Sequence, residues 1–464
     1  MKKIFYTFIY FLIIFFITIF GTLYNGVYLD NKIYKSILSK YERLNEISNA
    51  LLKVVDEGKV YDLIAKFKET RHQDGLSEAL NSPMRLINEI ENKRLEEGFI
   101  LTKDKKRLNY FVHKFSKTNK EILGSDNERP FASIDFIDDK IIIVTGLGKI
   151  LISEKLNEKN LEKNIKNIKF REIKNNLSNF KIDSKWNYER NFVKDILIDG
   201  DILYVFISHK EIKNDGDYFT YKIFKSDFSE KNLIFKEFFF AKKDLRPEGD
   251  LLHAAGKMIN FDKKNLLITS PDFGYPNLAQ DKKSLFGKIL KINKITGNYK
   301  IFSSGHRNPQ GLFLDKDNKI ILSTEHGPDG GDEINIIKES KNYGWPIASY
   351  GTGPGTIKTS NHLKYGFEEP SFHFNFINCG MSDLIKIPKG LISEDENTYL
   401  LSCLSGGGLR YGKSLYHLSL KNEKLIKIQK IFINDRIRDI KLYNNKLIVL
   451  VLENSQNLGF IYKS

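Results

Sequence analysis

Cysteine is nearly absent from this chain: its 464 residues hold only Cys379 and Cys403. Two cysteines exclude a disulfide framework and leave either a single bridge, which an extracytoplasmic compartment permits, or two buried thiols. Also missing is any long basic block. The net charge of +15 comes from 73 Lys and Arg scattered among 58 Asp and Glu. Without a basic run or an RNA-binding signature this argues against nucleic acid as a partner and describes a solvated basic surface. Charge itself is lacking from Ile4 to Leu29, behind the opening "MKK". That run is long enough to cross a bilayer, and no A-x-A-like cleavage site follows it, so residues 1–29 read as a membrane anchor rather than a cleaved signal peptide. Lys2 and Lys3 hold its start in the cytoplasm, which places everything after Asp30 on the extracytoplasmic, periplasmic side.

Between about Asn31 and Glu97, stretches such as "IYKSILSKYERLNEISNALLKVV" carry apolar residues at helical spacing, predicting a helical stalk or collar over 30–106 with no catalytic cluster. From about Arg107 the period becomes two. One pattern then recurs: an apolar strand, a turn of Asp, Asn, Gly or Lys, and a second apolar strand. Its copies are "DFIDDKIIIVT" at 135, "DILIDGDILYVFIS" at 195, "MINFDKKNLLITS" at 258, "LFLDKDNKIILST" at 312, "DLIKIPKGLISEDENTYLLSC" at 383 and "DIKLYNNKLIVLVL" at 439. A β-sandwich explains the alternation equally well but not the even spacing. The spacing predicts an all-β, six-bladed β-propeller over 107–464.

The innermost strand of a propeller blade, with the loop leading into it, points at the central channel. Polar residues just before each repeat therefore converge: His253 before the third copy, Arg307 and Asn308 before the fourth, Arg436 and Arg438 before the sixth. Taken singly, each has a structural explanation, since a histidine in a small-residue loop is usually a hydrogen-bonded one and Arg-x-Arg on a strand is usually solvated. Together, several cations facing one channel call for a multiply charged acidic ligand among them. After the fourth copy, "EHGPDGGDEIN" gathers Glu325, Asp329, Asp332 and Glu333 with glycines that leave backbone carbonyls free, a hard-oxygen set suited to Ca²⁺ although the spacing is not an EF-hand.

In "GHRNPQGL", "EHGPDGGDEIN" and "NYGWP", and more weakly in "LLHAAGKM" and "NDRIRD", the chain resembles the soluble-type, PQQ-dependent aldose sugar dehydrogenases, the glucose/sorbosone dehydrogenase family of six-bladed propellers. The resemblance covers about 107–464. It implies oxidation of an aldose at the anomeric carbon to the lactone, with hydride passing to PQQ and then onward to an electron acceptor. It further implies His253 as the base that takes the sugar's hydroxyl proton, Arg307 and Asn308 at the reactive side of PQQ, and Arg436 and Arg438 at its carboxylates. The carbonyls of Gly327 and Pro328 would hold a Ca²⁺ that polarises the quinone, and Glu333, Tyr343 and Glu369 a second, structural one. A family lysine that reaches the cofactor falls near Arg410, where this chain carries an extra residue. The family's early glutamine is replaced within "YERNFVKDIL", and Leu252 precedes His253 where some relatives have Asp. A binding propeller that keeps the fold without the chemistry, and a calcium-dependent lactonase, are the alternative functions.

Overall fold

The computed structural model describes residues 95–96, 99–101, 107–115, 132–180, 193–242, 244–246, 253, 255–328, 330–351, 357–374, 379–404 and 412–463. The apolar run at 4–29 and the helical stretch up to residue 94 lie outside the described residues.

Six sheets follow one another along the chain, antiparallel except for the short parallel strand Asn232–Leu233 at the edge of the first. Their innermost strands are Ala132–Ile137, Val193–Asp199, Met258–Asn260, Pro309–Asp315, Met381–Ile387 and Ile437–Tyr443, which coincide with the six sequence repeats. All but the fifth, which is followed by a longer loop from Ile387 to Thr398, are joined to the next strand by a short turn. In the first sheet Asp138 and Asp139 take φ of 49° and 63°, the two positive values a two-residue hairpin needs and that Asp tolerates. The ring closes between distant parts of the chain: Arg107–His113 pairs with Asn457–Tyr462 as the fourth strand, counted from the axis, of the sixth sheet. Leu95–Glu96 and Phe99–Leu101, expected as the end and flank of the helical segment, are instead short strands added to the outside of that sheet.

Side chains on the two faces of each sheet feed different cores. Ile141 and Ile143 pack toward Val449 and Phe460 of the sixth sheet, while Ile142 and Val144 pack toward Ile196, Val205 and Phe224 of the second. Burial on both faces explains why "KIIIVT" is continuously apolar rather than alternating.

At one phase of the innermost strands all six blades meet the axis, at Ser133, Asp195, Lys257, Gly311, Asp383 and Asp439. Lys257 Nζ lies 3.3, 2.8 and 2.9 Å from Asp195, Asp383 and Asp439. Burial disfavours its charge, but the three carboxylates outweigh that and hold the ammonium well above its ordinary range. Ser133 Oγ bonds Asp195 and Asp439, at 2.9 Å each. Gly311 leaves room for this knot, since a Cβ there would lie 2.4 Å from Thr324 Oγ1 and 3.0 Å from the Cα of Asp383. The channel is thereby filled at this level by an ion cluster that is internally paired.

Candidate active site

The motif 305–308 is shaped before it is functional. Gly305 has φ of 76°, and a Cβ on it would sit 2.1 Å from Asn342 Oδ1. His306 is fully buried between Ser303 Oγ, 2.8 Å away, and the Glu325 carboxylate. Ser303 is only 1% exposed, so this Ser-His-Glu relay presents no nucleophile to a ligand and serves to lock the loop. Glu325 also accepts the Arg307 backbone N–H at 2.9 Å, which aims the arginine side chain at the channel.

Arg307 reaches three partners. Its Nη1 donates to the carbonyls of His326, at 3.0 Å, and Gly327, at 2.7 Å, and its Nη2 lies 2.6 Å from His253 Nε2. A guanidinium can only donate, so His253 Nε2 carries the lone pair and Nδ1 the proton. Nδ1 donates to Asp272 Oδ1 at 3.0 Å. Asp272 is fully buried and is fixed in turn by the Trp345 indole N–H, at 2.8 Å to Oδ2, and by the Gly274 N–H, at 3.0 Å to Oδ1. The Arg307 guanidinium stands 5.3 Å over the Trp345 ring. The motifs at 253, 307 and 345 thus form one chain of contacts, joined by Asp272, which sequence reasoning missed because "PDFG" reads as a turn. A carboxylate-oriented imidazole with an acceptor nitrogen is the arrangement a general base requires. Asn308 has a scaffolding contact, accepting the Ala255 N–H at 3.2 Å and tying the third blade to the fourth.

Arg436 and Arg438 stand on one side of the sixth innermost strand, as their spacing predicts. The structure adds what lies between them: Glu453 accepts from Arg436 Nε at 2.7 Å and from Arg438 Nε at 2.5 Å. Arg438 also donates to Gln310 Oε1 of the fourth blade, at 2.8 Å. His326 shows that these groups converge. Burial, together with the charges of Arg438 and Arg307 and the proximity of His253, pushes its pKa down to about 3, and it hydrogen-bonds the Met381 backbone. It is therefore neutral, and its buried Nε2 has no hydrogen-bond partner among the described residues. A buried acceptor among donors fits a ligand that brings a proton of its own.

Gly327 and Pro328 line a pocket of about 260 Å³ together with Arg307, Glu325, Glu333, Tyr343 and Trp345. Asp332 holds its wall, accepting N–H bonds from Gly327 at 3.0 Å and Gly380 at 2.7 Å, while burial raises its pKa to about 6. Gly380 adjoins the disulfide that joins Cys379 to Cys403. Burial and the nearby charges of Glu325, Glu369 and Asp332 hold the Glu333 carboxyl well above its ordinary range. This crowding of carboxyls beside loop carbonyls is ground that a hard cation would relieve. Of the set suggested for a second cation, the Tyr343 hydroxyl is used between Ile336 O, at 2.6 Å, and Lys338 N, at 2.8 Å. Glu369 accepts from Tyr350 Oη at 2.7 Å and from Leu363 N at 3.2 Å. Among the described residues no three His, Cys, Asp or Glu side chains are grouped to hold a metal ion. Arg410 and Asp329 lie outside the described residues.

The model of the family described as Glucose / Sorbosone dehydrogenase matches residues 128–459. An uncharacterized protein of Synechocystis sp. is 26% identical over 285 residues, 52% of this chain and 65% of that protein. The aldose sugar dehydrogenase of Escherichia coli K12 is 32% identical over 138 residues, 26% of this chain and 37% of the relative. The matched region thus spans less than two thirds of the length of either relative. Among solved structures, the PQQ-bound form of aldose sugar dehydrogenase from Streptomyces coelicolor shares the fold, with a TM-score of 0.51 at 19% identity over 76% of this chain and 98% of that one.

Proposed function

Because the chain belongs to the glucose/sorbosone dehydrogenase family, we propose that it is a quinoprotein that oxidises an aldose at the anomeric carbon to the lactone, with PQQ and Ca²⁺ at the channel mouth. The observation that carries this reading is the chain Trp345–Asp272–His253, ending on an acceptor nitrogen beside Arg307. Bound at the mouth, PQQ would supply the two-electron acceptor that such an oxidation needs, and Ca²⁺ a Lewis acid.

The protein's own part is positional and acid–base. His253 Nε2 takes the proton of the sugar's anomeric hydroxyl, and Asp272 stabilises the imidazolium formed at Nδ1. For this the sugar hydroxyl replaces Arg307 at Nε2, and Arg307 turns its donors to the oxidant's side. Arg436 and Arg438 hold carboxylates of PQQ, with Glu453 keeping both guanidinium planes in place. His326 Nε2 accepts a hydrogen bond from the ligand. The carbonyls of Gly327 and Pro328 hold the calcium, beside the crowded carboxyls of Glu325 and Glu333. The apolar run at 4–29 anchors the protein in a membrane with the propeller on the extracytoplasmic side.

Purified protein titrated with PQQ in the presence and absence of Ca²⁺, then given aldoses and an artificial electron-accepting dye, tests the reading. Dye reduction that needs both PQQ and Ca²⁺ supports it. No PQQ binding at micromolar concentration in calcium buffer overturns it in favour of a binding propeller.

A further inference from the structure

One buried lysine near the channel mouth has no counter-ion among the described residues. In the second sheet the pairing of the innermost strand slips between Val193 and Asp195, so that Lys194 is the extra, bulged residue. The same slip occurs in the fourth sheet between Pro309 and Gly311 and in the sixth between Ile437 and Ile440. It releases Gln310 and Arg438, whose side chains meet over the channel at 2.8 Å. Lys194 therefore occupies, in its blade, the position from which two other blades reach the mouth.

Its surroundings differ from those of Lys288 and Lys257. Lys288 is equally buried, but its ammonium donates to the carbonyls of Leu278, Ala279 and Phe286 at 2.7, 2.8 and 2.9 Å. Lys257 has three carboxylates. Lys194 is 9% exposed and has neither a carboxylate nor a hydrogen-bond acceptor among the described residues, and the charge that acts on it is that of Arg438, of its own sign. Burial, reinforced by Arg438, lowers its pKa to about 7. A buried ammonium without an acceptor is costly, and where Lys257 and Lys288 are given acceptors by the fold, this one is left for a ligand.

Resting on the quinoprotein reading, we propose that Lys194 binds a carboxylate of PQQ, forming with Arg438 a two-sided cationic clamp across the channel mouth. The bound carboxylate supplies the missing counter-charge, so Lys194 takes up a proton as the ligand enters. The other charged groups around the mouth are Arg436 and Glu453 of the sixth blade, Arg307 and His326 of the fourth, and His253 with Asp272 of the third. Below it, Asp195 and Asp135 are tied to Lys257 and Lys441, and farther out on its own blade His209 is bonded to Glu211. PQQ carboxylates stay ionised across neutral pH; Asp383, raised by burial to about 7, is paired with Lys257, and Asp332, raised to about 6, is bonded to the Gly327 and Gly380 N–H groups, so Lys194 is the group whose charge a bound carboxylate changes.

Calorimetric titration of the calcium-loaded protein with PQQ, in buffers of different ionisation enthalpy, measures both Kd and the protons taken up. For the parent, uptake should be near zero at pH 6 and approach one proton at pH 8, with Kd rising up to about tenfold per pH unit above pH 7. Lys194→Arg, permanently charged, should keep the affinity and lose the extra uptake. Lys194→Met should bind PQQ about ten- to a hundredfold more weakly at pH 6 and also lose the pH dependence. Its ligand-free melting temperature should stay level or rise, whereas a structural lysine would lower it. If PQQ binds the parent but Lys194→Met shows the same Kd and proton uptake, the clamp is overturned while the quinoprotein reading stands. If the parent binds no PQQ, both fall.

Discussion

Lys257 and Lys194 are buried on adjacent blades, and their settings are opposite. Around Lys257 the protein provides three carboxylates within 3.3 Å, and the charge is settled by the fold. Around Lys194 it provides none, and its nearest charged influence is an arginine. The level of Lys257 is complete without a ligand. At the mouth Glu453 is shared by Arg436 and Arg438, and Lys194 has no carboxylate among the described residues. Charge that a fold pairs internally belongs to its architecture; charge that it buries and leaves unmatched belongs to what it binds.

The largest effect should come from breaking the paired level. Lys257→Met leaves Asp195, Asp383 and Asp439 buried without their cation and should cost about 3–5 kcal/mol of stability, measured by chemical denaturation of the ligand-free protein. At the mouth, changes should affect function and spare the fold. His253→Gln should retain PQQ and lose kcat by about a hundredfold or more, and Asp272→Asn should lower kcat by orienting the imidazole wrongly. Unchanged kcat in His253→Gln would remove the base from the scheme. Arg438→Ala should weaken PQQ by roughly ten- to a hundredfold, with kcat at saturating PQQ changed far less than in His253→Gln. Isotherms identical to the parent's would make the arginine structural. The smallest effect sharpens the contrast most: Lys194→Met should be neutral or stabilising by about 1 kcal/mol in the ligand-free protein near pH 7. Its folded pKa of about 7 lies below the ordinary lysine value of 10.5, so the unfolded chain holds a proton that the folded one lacks between those limits. The parent's stability therefore rises with pH over that range, and its deficit against the variant should close toward pH 10. A deficit that widens with pH would contradict the lowered pKa.

The six repeats were legible because each blade opens with the same hairpin, whose turn of Asp, Asn or Gly interrupts apolar residues that need two buried faces. The closing strand was not, because "RLNYFVH" has only the three-residue Phe99–Leu101 beside it in sequence and finds its longer pairing at the other end of the propeller. At the site, His253, Arg307, Arg436 and Arg438 could be found from their common phase in the repeat. Asp272 could not, since a lone Asp after a strand looks like turn chemistry. Lys194 escaped because the bulge shifts it by one residue, and strict alternation assigns it to the wrong face. Glu453, in "VLEN", reads as a polar strand end, and only the fold brings it between two arginines 15 and 17 residues earlier.

The closure of the sixth sheet also orders events in time. Phe115 N–H, just after the strand Arg107–His113, donates to Asn457 Oδ1, 342 residues away. A ribosome adding about 5–20 residues per second needs roughly 20 to 70 s between them. Throughout that interval Arg107–His113 is made but has no partner to complete its sheet, and five blades can form beside an open gap. The ring becomes a ring only when almost the last strand has been synthesised, so the nascent chain carries an unpaired strand edge for most of its manufacture, a stage at which a chaperone has something to hold.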